Sequence, residues 1–147
     1  MIVMAIDYGD AHTGVAISDP TGFLAGTTTT IHSRKAEVVL EELARLVREH
    51  RVEQLVMGFP RNMDGTEGPR AQLYRDFAAQ VAQQTGLKPV LWDERRTTVD
   101  AHRILFDAGK NAKKRKKTVD AVAAALILEG YLDFQRMRKN TVQEETP

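Results

Sequence analysis

The chain has no cysteine, which excludes disulfides and thiolate-held zinc at once. It also lacks any uninterrupted apolar stretch of membrane-spanning length. Its apolar start has no basic segment before it and reaches Asp7 too early for a secretory signal, so a cytoplasmic protein is expected. Aromatic residues are scarce, at 6% with a single tryptophan. No internal repeat and no linker long enough to divide the chain is present. What remains, 147 residues with 42% hydrophobic and 28% charged content, suits one ordinary domain with a single buried core.

Net charge is also nearly absent, but the +1 total conceals an uneven distribution. Lys110–Lys117 (KNAKKRKK) holds six cations and no acid, which leaves the rest of the chain at −5. Such a run is either a solvated loop or a contact for a polyanion. The last residues, Asn140–Pro147, are polar and read as a disordered tail beyond a domain of residues 1–138.

The first nineteen residues organise the remainder. Ile2–Ile6 is a continuous apolar run, as expected of a strand buried on both faces. It ends in Asp7, turns through Gly9 and Gly14, and is followed by a second apolar run, Val15–Ile17. A third strand is expected over Phe23–Ile31. Ser33 then caps a helix with Val39, Leu43, Leu46 and Val47 on one face. Gln54–Gly58 reads as a short strand, and Leu73, Phe77 and Val81 as the buried face of a helix ending near Gly86. Pro89–Trp92 forms a last strand leading to Asp93 and Glu94. Thr97 or Thr98 caps a helix stopped by Gly109, and Thr118 a final one reaching about Arg136.

This order predicts an α/β protein with a mixed five-stranded sheet, three antiparallel strands then two parallel ones, flanked by helices. Parallel strands share their carboxyl ends, so Asp7 and the Asp93–Glu94 pair come to one edge. Asp120, in the first turn of the last helix, is a further candidate for that edge. Clustered carboxylates repel one another unless a divalent cation neutralises them, and Mg²⁺ prefers such hard oxygen ligands. Each acid also has an ordinary explanation. Asp120 complements a helix dipole, Glu94 pairs with Arg95 or Arg96, and Asp93 stands as an alternative partner or a surface acid.

Four sets of residues, in order, resemble the YqgF/RuvX-type family, the pre-16S ribosomal RNA nucleases also described as Holliday junction resolvase-like proteins. They are Asp7-Tyr8-Gly9 with Gly14-Val15-Ala16 and Ser18-Asp19; Gly58, Pro60, Gly65 and Gly68; Asp93-Glu94-Arg95 with Thr97-Thr98; and Val119-Asp120 with Ala123-Ala124 and Tyr131-Leu132. The resemblance covers residues 2–133 and implies an RNase H-like fold. It further implies that Asp7, Glu94 and Asp120 are catalytic acids holding Mg²⁺ or Mn²⁺ for phosphodiester hydrolysis. The implied substrate is structured RNA, pre-16S rRNA within a ribosomal particle, with branched DNA as the alternative. A monomer or weak dimer is expected.

Two features depart from the pattern. His12 stands where the family has arginine, replacing a permanent forked charge with a side chain largely neutral at physiological pH. The Gln54–Gly58 strand ends without an acid, leaving the metal count open. Arg95 and Arg61, with Arg70 as a further candidate, are expected to meet phosphate, as are Lys113, Lys114, Arg115 and Lys116 of the basic run. Two other classes compete. One is a non-catalytic RNA-binding module; the other is an actin-like or sugar-kinase ATPase, which needs a second domain this length does not supply.

Overall fold

The computed structural model describes residues 1–22, 25–61, 64–93 and 112–145, with side chains described outside 112–120 and 139–145. Five strands form one sheet: β1 (Val3–Asp7), β2 (His12–Ser18), β3 (Ala25–His32), β4 (Gln54–Phe59) and β5 (Val90–Asp93). Three helices accompany them, α1 (Ala36–His50), α2 (Ala71–Thr85) and α3 (Ala112–Glu145). The strand order is β3-β2-β1-β4-β5. β1 pairs antiparallel with β2 and β2 with β3, whereas β1–β4 and β4–β5 are parallel. This is the expected mixed sheet, with β1 at its centre.

Alternation along the strands sends successive side chains to opposite faces. Met4, Ile6, Val15, Ile17, Leu55, Met57 and Phe59 meet α1 and α2 through Val39, Leu43, Leu46, Val47, Tyr74, Phe77 and Val81. Val3, Ala5, Ala16, Val56 and Trp92 meet α3 through Ala124, Ile127, Leu128, Tyr131 and Leu132. Both faces are therefore dry, which explains why β1 and β4 read as unbroken apolar runs. Gly130 of α3 faces the Trp92 ring, where a Cβ would lie at 3.4 Å, an ordinary contact distance.

Several boundaries differ from expectation, each for a local reason. Gly14 is not a turn residue; β2 begins at His12, and Gly14 lies opposite Asp7 inside the sheet. Ser33 does not cap α1: Lys35 holds that position, and the Ser33 hydroxyl accepts the Lys35 N–H at 3.1 Å, tightening the entry turn instead. On α2 the buried position is Tyr74, while Leu73 is exposed, because Ala71, Tyr74, Phe77 and Val81 complete the stripe. The largest difference is α3, which begins at Ala112 rather than at Thr118. Lysine and arginine are good helix formers, and neither glycine nor proline interrupts 112–129. The backbone of 113–117 is thus helical, and Asp120 stands two turns into the helix rather than in its first. The helix also continues through 140–145, where a tail was expected; no glycine or proline follows Gly130 until Pro147. The expected helix between Thr97 and Gly109 lies outside the described residues.

Candidate active site

Asp7 is the last residue of β1 and is partly buried. It continues the column Val3–Ala5, so it belongs to the face that α3 covers. Its antiparallel partner on β2 is Gly14. On the other side, one step beyond the Ile6–Met57 pair, the neighbouring residue of β4 is Gly58. The carboxylate is therefore flanked on its own face by two residues without side chains. This leaves bare backbone on either side of an acid at the open ends of β1 and β4, where a ligand can approach closely.

The turn that follows is braced from the opposite face. The Tyr8 ring stacks on Phe77, with centroids 3.7 Å apart and planes 4° from parallel. Tyr74 meets the Tyr8 ring edge-on, and its hydroxyl donates to the Tyr8 carbonyl at 2.8 Å. Arg70 pairs with Asp10 at 3.0 Å. Gly9 is needed for close approach, since a Cβ there would lie 2.4 Å from the His12 carbonyl oxygen. Burial raises the Tyr8 phenol above its ordinary range; Asp10 pushes it further up and Arg70 opposes both. The expected phosphate candidate Arg70 thus has a structural task, fixing the turn beside Asp7.

β5 brings Asp93 to the same edge, in register with Phe59. Asp93 alternates with Trp92, so it belongs to the α1–α2 face rather than to that of Asp7. Alternation therefore disfavours Asp93 as the partner of Asp7. Glu94, the next residue, and Arg95 lie outside the described residues. Asp120, Lys113, Lys114, Arg115 and Lys116 have their backbone in α3, and their side chains are not described. Among the described residues no three acidic or imidazole side chains gather as a metal site. The fit of a hard cation consequently rests on Asp7, a carboxylate between two glycines, with the donor chemistry that Mg²⁺ or Mn²⁺ takes.

Arg61 lies beyond β4. Its guanidinium is 5.6 Å from the Phe59 ring centroid and its Nη1 donates to the Gly65 carbonyl at 3.3 Å. Arg75, paired with Glu67, covers the same ring at 4.7 Å. Together with Arg138 these arginines line an open cavity of about 650 Å³ at the β5 edge, which also touches Asp93 and Tyr131. Sequence reasoning missed Arg75 and Arg138. Only their helical spacing toward the β5 edge could have revealed them, and that requires the topology first.

The sheet order and the two-sided helical cover are those of an RNase H-like fold. Thermus thermophilus RuvC bound to a Holliday junction substrate superimposes with a TM-score of 0.61 at 13% identity, covering 92% of this chain and 96% of RuvC. A second Thermus thermophilus RuvC structure gives 0.56 at 14% identity, over 92% and 97% of the two chains. The family model RuvX, described as a Holliday junction resolvase, matches residues 1–134, and the chain belongs to this family. A Carboxydothermus hydrogenoformans relative named "Putative pre-16S rRNA nuclease" is 44% identical over 135 residues, which is 92% of this chain and 98% of the relative. A Moorella thermoacetica protein of the same name is 44% identical over 142 residues, 97% of this chain and all of the relative. Fold and family together define a hydrolytic nuclease.

Proposed function

We propose that the protein is a cytoplasmic, metal-dependent phosphodiesterase that matures the 5′ end of 16S precursor RNA, with residues 1–138 as its nuclease domain. The observation that carries the reading is Asp7 between Gly14 and Gly58 on the α3-facing side of the sheet. The names of the full-length relatives supply the substrate. Glu94 follows Asp93 in the chain, immediately beyond the end of β5. Asp120 precedes Ala124, Ile127 and Tyr131 by four, seven and eleven residues, the spacing of one helical stripe.

The direction of α3 supports the same grouping. Tyr131, Leu132 and Gln135 share a cavity with Met1, Val3 and Gln54, at the amino ends of β1 and β4. Twelve residues separate Asp120 from Leu132, about 18 Å along a helix, against about 13 Å from Val3 to Asp7 along β1. These lengths support a position for Asp120 toward the carboxyl edge. In this reading Asp7, Glu94 and Asp120 hold Mg²⁺ or Mn²⁺, which supplies Lewis-acid activation of water and of a phosphoryl oxygen. The chain's own part is to bring the acids to one edge, to keep the floor around Asp7 bare, and to hold the phosphate backbone through Arg61, Arg95 and the Lys113–Lys116 run.

The test is cleavage of a labelled 16S precursor leader RNA with Mg²⁺, with Mn²⁺ and with EDTA, beside Asp7→Asn and Asp120→Asn. EDTA and either substitution should reduce cutting at least about a hundredfold, because a neutral amide does not replace a metal-binding carboxylate. Thermal melting should stay within a few degrees of wild type. Undiminished cutting by Asp7→Asn would sink the reading. Paired symmetric cuts in a four-way DNA junction, with the RNA left intact, would instead establish junction resolution, the activity named in the family description.

A further inference from the structure

The cavity at the β5 edge is elongated along the strands. At one end Asp93 stands in register with Phe59, whose ring is covered by Arg61 and Arg75. At the other end the cavity reaches Gln54, the first residue of β4. Gln135 of α3 lines it beside Gln54, and Arg138, three residues further along the helix, lines it too. Gln54 to Phe59 spans about 16 Å of extended strand. The opening is therefore a trough, and it has cations at both ends.

Aromatic rings lie between those ends. Trp92 and Tyr131 are buried, and the Trp92 ring meets both Tyr131 and Phe134 edge-on with centroids 5.8 Å apart. Phe134 is held on one side in this way, yet it remains 38% exposed. A ring so held has given up rotamer freedom without gaining full burial, and it offers a fixed apolar surface to a flat ligand. Arg138 follows Phe134 by four residues, so the two share one helix face. Gln54 and Gln135 add amides at that end, a group that both donates and accepts. Gln135 already donates to the Tyr131 hydroxyl at 2.8 Å.

A cationic groove with rings along it combines the two parts of a sequence-tolerant single-strand site. We propose that the trough binds an unpaired segment of the RNA, with a base on Phe134 and backbone phosphates on Arg138 at one end and on Arg61 and Arg75 at the other. The site rests on the nuclease reading for its natural ligand. About 16 Å corresponds to roughly five nucleotides at the duplex rise of 3.4 Å, and to fewer in an extended strand. One mononucleotide cannot serve both ends. Asp93 lines the trough and Glu67 pairs with Arg75, but three arginines leave the lining net positive. β5 lies two strand spacings from β1, about 10 Å, so a strand leaving the carboxyl end of the trough can pass on to Asp7.

Trp92 is the chain's only tryptophan, so its emission reports on this trough. The experiment titrates an end-labelled single-stranded hexaribonucleotide into the full chain in EDTA, following label anisotropy and Trp92 emission together. Both signals should change at the same RNA concentration, and adenosine monophosphate should bind at least about tenfold more weakly. Phe134→Leu keeps the apolar bulk but removes the ring, and should weaken binding roughly tenfold; Phe134→Tyr should restore it. Arg61→Gln and Arg138→Gln should each weaken it roughly threefold. Binding that leaves Trp92 emission unchanged, equal affinity for the mononucleotide, or undiminished binding by Phe134→Leu would overturn the proposal. The nuclease reading is tested separately by Asp7→Asn, which should bind the hexaribonucleotide like wild type while losing cleavage of the precursor RNA. Cleavage retained by Asp7→Asn would fault the nuclease reading and leave the trough standing.

Discussion

Thr13 shows how a single side chain can sit at odds with its surroundings. It is fully buried in β2, and its hydroxyl has no hydrogen-bond partner among the described residues. An unsatisfied buried hydroxyl costs on the order of 1–3 kcal/mol, and valine has nearly the same shape with a stronger preference for strands. Thr13→Val should therefore raise stability by about 1 kcal/mol, seen as a higher urea midpoint with an unchanged slope. A lower midpoint would mean that the hydroxyl has a function in the folded state. The residue scale is also where sequence reading succeeded most directly. Asp7 was recognisable as the end of β1 because an apolar run stops there, and Gly9 as part of the turn that follows. The contact of His32 with His12 was not recognisable, since only the cross-strand register places the two together.

Among the elements, the β1–β2 turn depends most on a neighbour. Tyr8 is held by Phe77 and Tyr74 of α2, so the segment after Asp7 is positioned by a helix more than sixty residues away in sequence. Burial raises the Tyr8 phenol, and burial likewise raises Tyr131, with the Gln135 hydrogen bond and Arg138 opposing it. A phenol raised in the folded state contributes no pH dependence while both states stay protonated. Its stabilising share is present below the unfolded value of 10.0 and is lost as pH climbs through the folded value. Thermal melting should accordingly fall more steeply above pH 10 in wild type than in Tyr8→Phe, which has no phenol to ionise. Parallel decline in both proteins would show that Tyr8 ionises without disturbing the turn.

The same scale shows what sequence patterning conveyed and what it did not. The strands and the faces of α1 were legible because apolar runs and 3.6-residue spacing report burial directly. The start of α3 was not legible, because a run of lysines and arginines has the same composition in a solvated loop and in a helix. Leu73 misled for a related reason. Hydrophobicity marks a position as able to be buried, whereas the geometry of the stripe chose Tyr74.

Over the whole molecule, the proposed function raises the question of how an acidic site attracts a polyanion. The chain outside Lys110–Lys117 carries −5, and a carboxylate centre adds local repulsion toward phosphate. The compensating charge is concentrated in one run whose described part, 112–117, forms the first turns of α3. Those turns immediately precede Asp120, and further along α3 Tyr131, Leu132 and Gln135 lie near the amino ends of β1 and β4. In the proposed reading, cations of this run hold the backbone flanking the scissile phosphate while the acids keep their charge. Changing Lys113, Lys114, Arg115 and Lys116 together to glutamine should preserve helicity, because glutamine is nearly as good a helix former as lysine. It should weaken RNA binding and flatten the dependence of log K on log salt by roughly 0.7 for each phosphate no longer neutralised, approaching 3 if all four cations engage. The measurement is a salt titration of RNA affinity in EDTA, with circular dichroism as the check on folding. An unchanged slope with unchanged helicity would assign the run to solvation alone. Substrate capture would then fall to the arginines of the β5 edge.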